Sequence, residues 1–281
     1  MSSVSLRAFA KINLHLEVKG TRPDGFHEVR TVLQTIDLFD RVACTARRGT
    51  FEIQCRQPGV PTDRTNLVWK AAQLLWRGSG RAGDVRDARV VLEKHIPMQA
   101  GLGGGSSDAA AALLALRRVW KLRVSNEALR EMAAEIGSDV PFFLVGGTAL
   151  ALGRGEEVYP LEDLPPYYVV LVLPTFGVST RDAYAWLASE QSPSHPRPHF
   201  GYLPVPPTND LEGAVIRRHP VIGSLRDRLS ADGALLAAMS GSGSTVFGVF
   251  DSERKARSAA RRLAHSGAEV RRARFKPRRR G

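Results

Sequence analysis

The chain has 281 residues, 43% of them hydrophobic, which is enough for one large domain or two smaller ones with buried cores. No apolar run is long enough to span a membrane, and the first residues lack the apolar segment of a secretion signal. We therefore expect a cytoplasmic protein without a membrane partner. The two cysteines, Cys44 and Cys55, do not have the spacing of metal ligands, and we interpret them as reduced thiols in strands.

The net charge of +12 is concentrated at one end of the chain. Residues 271–281 contain seven basic and no acidic residues, which leaves a charge of +5 on the rest. A basic end of this kind is usually solvated, and RNA binding is the alternative. The mildly basic body suits a substrate that carries phosphates.

Hydrophobic periodicity predicts a mixed α/β chain. The predicted strands cover residues 5–20, 28–46, 51–55, 88–93, 146–152, 157–159, 167–173, 234–239, 245–250 and 268–275. The predicted helices cover residues 66–76, 106–120, 126–136, 209–218, 221–229 and 252–265, with one more after residues 177–180. Pro165 and Pro166 mark an expected boundary between a domain of residues 1–160 and one of residues 161–281. Residues 191–208, rich in Pro, Ser and His, are expected to form a mobile surface loop.

The most informative stretch runs from Pro97 to Ala112. It has four glycines within five residues, at positions 101, 103, 104 and 105, and then two serines and an aspartate that can cap the following alanine-rich helix. Glycine lets backbone N–H groups approach a ligand closely, and a helix start adds donors and a positive dipole. A plain turn needs fewer glycines, so the pattern favours a phosphate site. It lacks the lysine of a P-loop and the last glycine of a dinucleotide fingerprint.

Two polar features of the first strands are ambiguous from the residues alone. Lys11 and Asn13 share one face of the first predicted strand, where polar residues normally face solvent. Phe26 and His27 follow a Pro-Asp-Gly turn, where a ring could stack on a base and an imidazole could bind its edge. A core aromatic beside a surface histidine is the alternative, and the residues alone favour it.

Two further segments also permit two interpretations. Asp139 follows a Gly-Ser turn and precedes apolar residues, so it is either the cap of a short helix or a carboxylate held in a site of low polarity. Residues 240–244, Ser-Gly-Ser-Gly-Ser, lie between two predicted strands and form either a hairpin or a second phosphate cradle.

Three separated segments together resemble the GHMP kinase superfamily. They are residues 10–13 (Ala-Lys-Ile-Asn), the stretch from Pro97 to Ala112, and residues 240–244. Residues 23–27, 101–108 and 137–141 resemble the branch of that superfamily whose substrate is a cytidine diphosphate ester of methylerythritol. The resemblance implies an α/β (α+β) two-domain fold, with an N-terminal domain like ribosomal protein S5 domain 2 and a ferredoxin-like C-terminal domain. It also implies an active site in the cleft between them.

The resemblance implies transfer of the ATP γ-phosphoryl group to the 2-hydroxyl of the erythritol moiety. Asp139 matches the catalytic base and Lys11 its partner, which orients the pair and offsets charge on the phosphoryl oxygens. Asn66 and Lys94 match positions near the nucleotide. The loop residues implied to bind ATP are Pro97, Met98, Gln99, Ala100, Gly101, Leu102, Gly103, Gly104, Gly105, Ser106 and Ser107. Among them, Gln99 stands where the family pattern leads us to expect a small residue such as glycine.

For the second substrate, the resemblance implies that the cytosine stacks on Phe26 and hydrogen-bonds His27, with Tyr184 as the other aromatic wall. Asn13 is implied to contact the substrate. The residues implied to lie near the transferred phosphate are Gly241, Ser242, Gly243 and Ser244. No residue is assigned as a Mg²⁺ ligand, so we expect ATP and water to hold the ion. The alternatives are another GHMP small-molecule kinase and an RNA-binding protein with an S5-like fold.

Overall fold

The computed structural model describes residues 2–189 and 208–278, so nearly all of the predicted surface loop over 191–208 lies outside the described residues. The described strands are β1 (Ser3–Thr21), β2 (His27–Thr50), β3 (Glu52–Cys55), β4 (Arg86–Glu93), β5 (Thr148–Leu152), β6 (Glu157–Pro160), β7 (Tyr168–Leu173), β8 (Leu236–Met239), β9 (Val246–Phe250) and β10 (Glu269–Arg274). The described helices are α1 (Leu67–Gly78), α2 (Gly104–Val119), α3 (Asn126–Ile136), α4 (Val140–Val145), α5 (Thr180–Ala188), α6 (Asp210–Arg218), α7 (Pro220–Ala231) and α8 (Glu253–Leu263). Each predicted strand and helix is present, with ends shifted by a few residues, because each has the apolar periodicity of its own type.

The chain forms two compact units, each assembled from several segments. Unit 1 consists of Met1–Ala10, Leu38–Pro97 and Gly103–Val145. Unit 2 consists of Lys11–Asp37, Met98–Leu102 and Gly146–Gly281. The long strands β1 and β2 contribute residues to both units. The division at residue 160 therefore stays a prediction. Each compact unit combines segments that are separated in the sequence, so the units do not correspond to a single cut of the chain.

Unit 1 has a layer of helices against part of a sheet. β4 pairs in parallel with β3 and antiparallel with the second half of β2, with Val90 opposite both Ile53 and Cys44. Alternation along β4 buries Ala88, Val90 and Leu92 against the helices. Helix α2 is buried mainly through alanines, whose small side chains let it pack closely against α1. Both cysteines are free thiols in strands, as predicted.

Unit 2 contains a four-stranded antiparallel sheet in the order β10-β7-β9-β8. The central strands β7 and β9 are almost continuously buried, and α7 and α8 pack against the sheet. In the same unit, β5 pairs antiparallel with β6 and with the first half of β2. The connection between β8 and β9 consists of residues 240–245, so the serine–glycine segment joins two neighbouring strands.

Candidate active site

Helix α2 of unit 1 begins directly in the glycine-rich segment. Its N-cap is Gly103, which adopts a left-handed conformation with φ of 70° and makes no side-chain capping hydrogen bond. The prediction that Ser or Asp caps a helix starting near residue 106 is therefore wrong. The chain turns into the helix earlier because glycine adopts positive φ without strain.

The serines consequently lie within the first turn of α2. The hydroxyl of Ser107 donates to the backbone oxygen of Phe9 at 2.7 Å, and its N–H donates to Gly103 at 2.9 Å. Helix geometry leaves the preceding N–H groups, those of Gly104, Gly105 and Ser106, without an intrahelical acceptor. These backbone N–H groups are donors that the helix start can offer to an anion.

A buried charged cluster lies beside this helix start. We call it the Lys94 triad: the Lys94 ammonium group forms ion pairs with the carboxylates of Asp40 and Asp108, the latter at 2.6 Å. The side chains of Asp40, Lys94 and Asp108 are 0%, 4% and 4% exposed. Asp40 also accepts the backbone N–H of Ile96 at 2.8 Å, which ties the end of β4 to the triad. The sequence pattern placed Lys94 near the nucleotide but missed Asp40, which belongs to no recognisable motif.

Burial raises the pKa of Asp108 to about 7, and the neighbouring charge of Asp40 adds to this effect while Lys94 opposes it. Burial opposes the charge on Lys94, but the two carboxylates outweigh it and raise the pKa of the ammonium group. One oxygen of Asp108 is buried with no hydrogen-bond partner among the described residues. The triad therefore has two carboxylates for one cation, and burial favours the protonated form of Asp108.

Two further predicted residues of unit 1 lie at the ends of helices. Asn66 caps α1, accepting the N–H of Val68 at 2.9 Å and donating to Pro61 at 2.6 Å. Asp139 is partly exposed and immediately precedes α4. Its position is compatible with both interpretations from the sequence.

In unit 2, Lys11 and Asn13 are buried rather than exposed. The expectation that polar residues on this face of β1 point to solvent is wrong. Lys11 donates to the side-chain oxygen of Asn13 at 2.6 Å, and Asn13 donates to the hydroxyl of Thr31 at 2.8 Å. Thr31 in turn donates to the backbone of His15 at 2.6 Å. Burying a lysine is costly, so this chain of hydrogen bonds holds the ammonium group in a defined place.

Residues 240–244, which we call the second glycine loop, lie beside Lys11 and Asn13. A Cβ atom placed on Gly241 would lie 3.3 Å from the Lys11 ammonium nitrogen and 3.3 Å from the Asn13 side-chain oxygen. Asn209, which caps α6, donates to the backbone oxygens of Met239 at 2.8 Å and Gly241 at 2.9 Å. The sequence pattern identified the loop but not Asn209, because only the fold brings that residue to it.

The serine hydroxyls of the second glycine loop are engaged within unit 2. Ser240 donates to the backbone oxygen of Gly101 at 2.9 Å, and Ser244 donates to that of Phe176 at 2.5 Å. The hydroxyl of Ser242 shares a hydrogen bond of 3.2 Å with that of Thr180. The loop is buried throughout, so these hydroxyls fix its shape.

Position 99, where the chain departs from the family pattern, has an unusual backbone conformation. Gln99 adopts a φ of 51°, in the left-handed region that favours glycine. The expectation of a small residue there is consistent with this backbone, which the chain maintains with glutamine.

The aromatic residues of the 23–27 turn are presented at the surface of unit 2. Phe26 is 51% exposed, and the His27 ring stacks on Tyr184 with centroids 4.5 Å apart and an interplanar angle of 26°. The interpretation that the residues alone favoured, a core aromatic beside a surface histidine, is therefore wrong. The sequence missed Arg154, whose guanidinium lies 4.9 Å from the centre of the Phe26 ring.

Residues 2–189 and 208–278 contain no group of three or more His, Cys, Asp or Glu side chains placed to hold a metal ion. No helix in those ranges has the length and apolar character needed to cross a bilayer.

Comparison with known proteins identifies the family. Models of the GHMP kinases N terminal domain and the GHMP kinases C terminal match residues 66–147 and 205–269. The chain is 42% identical over 272 residues to 4-diphosphocytidyl-2-C-methyl-D-erythritol kinase of Geobacter metallireducens, covering 95% of this chain and 96% of the relative. It is 44% identical over 264 residues to the kinase of the same name from Gloeobacter violaceus, covering 89% and 86%.

Solved structures agree with the sequence relatives. A crystal structure of 4-(cytidine 5'-diphospho)-2C-methyl-D-erythritol kinase superposes with a TM-score of 0.79 at 36% identity, covering 97% of this chain and 99% of that one. Homoserine kinase from Cytophaga hutchinsonii, at 16% identity and a TM-score of 0.69, shares the fold and covers 100% of this chain and 96% of its own. The predicted two-domain GHMP kinase fold is thus confirmed, and the chain belongs to the family of 4-diphosphocytidyl-2-C-methyl-D-erythritol kinases.

Proposed function

We propose that this chain transfers the γ-phosphoryl group of ATP to the 2-hydroxyl of 4-diphosphocytidyl-2-C-methyl-D-erythritol. The products are the 2-phosphate and ADP, and the reaction belongs to the non-mevalonate route to isoprenoid precursors. The observation that carries the proposal is the 42% identity over 95% of the chain to a kinase of this name. The buried Lys11, the glycine-initiated helix α2 and the exposed Phe26 support it from three separate parts of the sequence.

ATP phosphates are proposed to bind at the start of α2. The N–H groups of the first turn and the positive end of the helix dipole favour a polyanion there. Mg²⁺ is proposed to arrive with ATP, whose phosphate oxygens are ligands that this ion prefers. When bound, the ion neutralises phosphate charge, and no protein ligand is assigned to it.

The chemical step is proposed to use Asp139 and Lys11. Asp139 accepts the proton of the substrate 2-hydroxyl while that oxygen bonds to the γ-phosphorus and the bond to the ADP oxygen breaks. Lys11 offsets negative charge that develops on the transferred group. Its hydrogen bonds through Asn13 and Thr31 support this role, because an electrostatic catalyst must be held in place before the reaction.

The cytidine group is proposed to be recognised in unit 2 by Phe26, His27 and Tyr184. An exposed ring suits stacking with a base, and an imidazole can bind a polar base edge. The contact between His27 and Tyr184 supports this assignment because it holds the imidazole in a defined orientation.

The proposal is tested by transfer of labelled phosphate from ATP to 4-diphosphocytidyl-2-C-methyl-D-erythritol. Label should enter the product with the wild-type chain, and Asp139→Asn should lower kcat by about 100-fold or more. Asp84→Asn serves as the matched control, because Asp84 is an exposed aspartate of the same unit whose ion pair with Arg64 lies at the surface. It should leave kcat unchanged.

Two outcomes would contradict the proposal in different ways. Equal turnover of mevalonate or homoserine, which lack a cytosine, would remove the substrate assignment. Near-normal turnover by Asp139→Asn, with the wild-type enzyme active, would remove only the assignment of the base.

A further inference from the structure

Phe26 is an exposed aromatic ring on a backbone that is held in place. Its N–H donates to the side chain of Asp24 at 3.1 Å, and its carbonyl oxygen accepts the N–H of Arg22 at 2.7 Å. These bonds close the turn that precedes β2 but leave half of the Phe26 surface exposed. The backbone is therefore fixed, while the ring itself needs a separate contact to stay in one orientation.

Arg154 provides that contact from another part of unit 2. It lies between β5 and β6, and its guanidinium is 4.9 Å from the centre of the Phe26 ring. A guanidinium over an aromatic face is attracted by the electron density of the ring. Arg154 therefore occupies one face of Phe26.

Glu156 holds Arg154 in this position. One carboxylate oxygen accepts the backbone N–H of Arg154 at 2.6 Å, and the other accepts the side-chain Nε–H at 3.1 Å. The two contacts fix both the start and the far end of the arginine side chain. Both residues are partly buried, which reduces the screening of the pair by solvent.

The β5–β6 turn, which contains Arg154 and Glu156, is itself hydrogen-bonded to β2. The carbonyl oxygen of Gly153 accepts the N–H of Val29 at 2.7 Å, three residues after Phe26. A Cβ atom on Gly153 would lie 3.1 Å from a Glu156 carboxylate oxygen, so a side chain there would crowd that carboxylate. Residues 153–156 therefore form a short turn that is held by hydrogen bonds and places Arg154 over the Phe26 ring.

We propose that Arg154, supported by Glu156, is a positioning residue for substrate binding. It covers one face of the Phe26 ring and so leaves the opposite face available to a pyrimidine base. The inference rests on the proposed function, because it assigns Phe26 to base stacking. It adds the β5–β6 turn as a determinant of substrate specificity.

The test measures KM for the cytidine substrate and KM for ATP in Arg154→Ala. The expected result is a rise of about two- to fivefold in KM for the cytidine substrate, the range of a cation–π contact at a partly exposed site. KM for ATP and kcat should not change. Glu156→Gln should shift the same KM in the same direction, and Arg154→Lys should restore it in part, since lysine keeps the charge but not the planar fork.

A double-mutant cycle with Phe26→Leu distinguishes positioning from a direct contact with substrate. If Arg154 acts through the ring, Arg154→Ala should add nothing to the KM of Phe26→Leu. Arg81→Ala is the matched control, because Arg81 lies 4.6 Å over the ring of Trp76 in unit 1, and it should leave both KM values unchanged.

Additive effects of Arg154→Ala and Phe26→Leu would overturn the inference, as would an unchanged KM or an equal rise in KM for ATP. Failure of the proposed function has a different signature. In that case the wild-type chain does not turn over the cytidine substrate, or Phe26→Leu leaves its KM unaltered.

Discussion

The first glycine loop, residues 101–105, leads into a helix, whereas the second, residues 240–244, joins two adjacent antiparallel strands. In the sequence both are phosphate-cradle candidates for the same reason, a concentration of glycine and serine. In the structure Gly105 is exposed at the start of α2, while every residue of the second loop is buried. The helix start therefore offers backbone donors to a ligand, and the second loop is mainly fixed by its own hydrogen bonds.

The two loops also differ in what supports them. Beside the helix start lies the Lys94 triad, with buried charges whose balance depends on pH. The second loop is supported by neutral serine hydroxyls and by the amide of Asn209. The comparison teaches that similar glycine-rich segments can serve ligand binding or packing, and that substitutions can tell the two uses apart.

The largest effect is expected for Gly101→Ala, where the two loops come together in unit 2. Gly101 has a φ of 72°, and a Cβ atom there would lie 2.0 Å from the backbone oxygen of Ser240. Left-handed strain and overpacking against backbone together predict a loss of about 2–4 kcal/mol in the free energy of unfolding, measured in urea. Gly83→Ala is the control, since Gly83 has a φ of 75° with open space around it. Equal losses in both variants would show that the close approach does not matter.

A pH-dependent effect is expected from the support of the first loop. The pKa of Asp108 is raised to about 7 from an ordinary 3.8, so folding takes up a proton between these values. The stability that this group contributes therefore falls as the pH rises through that window. Relative to Asp108→Asn, which cannot titrate, the wild-type chain should lose unfolding free energy between about pH 4 and pH 7.

Urea unfolding of both proteins across that range provides the measurement. Asp84→Asn, at an exposed aspartate, should keep a constant difference from the wild type. A wild-type advantage over Asp108→Asn that grows with pH would contradict the assignment of the raised pKa.

A smaller effect is expected for Ser240→Ala in the second loop. The substitution removes the hydrogen bond of 2.9 Å to the Gly101 backbone oxygen and leaves that acceptor without this donor. The free energy of unfolding should fall by about 1–2 kcal/mol in a urea titration. Ser224→Ala, at an exposed serine with a bond of 3.3 Å to Pro220, should change it by less than about 0.5 kcal/mol. A Ser240→Ala variant as stable as Ser224→Ala would show that the hydroxyl does not support the loop.

The smallest effect on stability is expected for Gly105→Ala in the first turn of α2. A Cβ atom there would meet only Leu67, at 3.8 Å, and alanine favours the helix by about 0.5–1 kcal/mol. The methyl group would nevertheless stand where phosphates are proposed to approach. KM for ATP should rise by about tenfold, as for the loss of one hydrogen bond to a charged group.

Gly213→Ala, at an exposed position of helix α6, provides the control for this variant. It should gain a similar free energy of unfolding without any change in KM for ATP. If Gly105→Ala behaves in the same way as Gly213→Ala, the start of α2 is not the phosphate site.

Much of the fold was predictable because the signals are local. Strands β4 and β7 and helix α1 have apolar residues at the spacing of their own secondary structure, and Asn66 and Asn209 cap helices where the sequence places them. The start of α2 was predicted incorrectly because capping serines outweighed glycines in the sequence pattern. In the chain itself, the left-handed Gly103 made a side-chain cap unnecessary.

The candidate site was predictable only where its residues form motifs. Motifs named Lys11, Asp139 and the glycine segments as candidates, whereas no motif pointed to Asp40, Thr31 or Arg154. Asp40 pairs with Lys94, and Thr31 accepts a hydrogen bond from Asn13. Arg154 lies over the ring of Phe26. Each contact joins residues that are distant in the sequence. Pattern reasoning has no access to such pairs.

The sequence by itself determined the family, the order of strands and helices, and the residue types available for phosphoryl transfer. These follow from periodicity and from motifs whose chemistry is carried by neighbouring residues. Tertiary structure alone decided that Lys11 and Asn13 are buried, that the second glycine loop is held by hydrogen bonds, and that Phe26 is exposed beneath Arg154. Burial and charge pairing depend on which distant segments pack together, and that is settled only when the whole chain has folded.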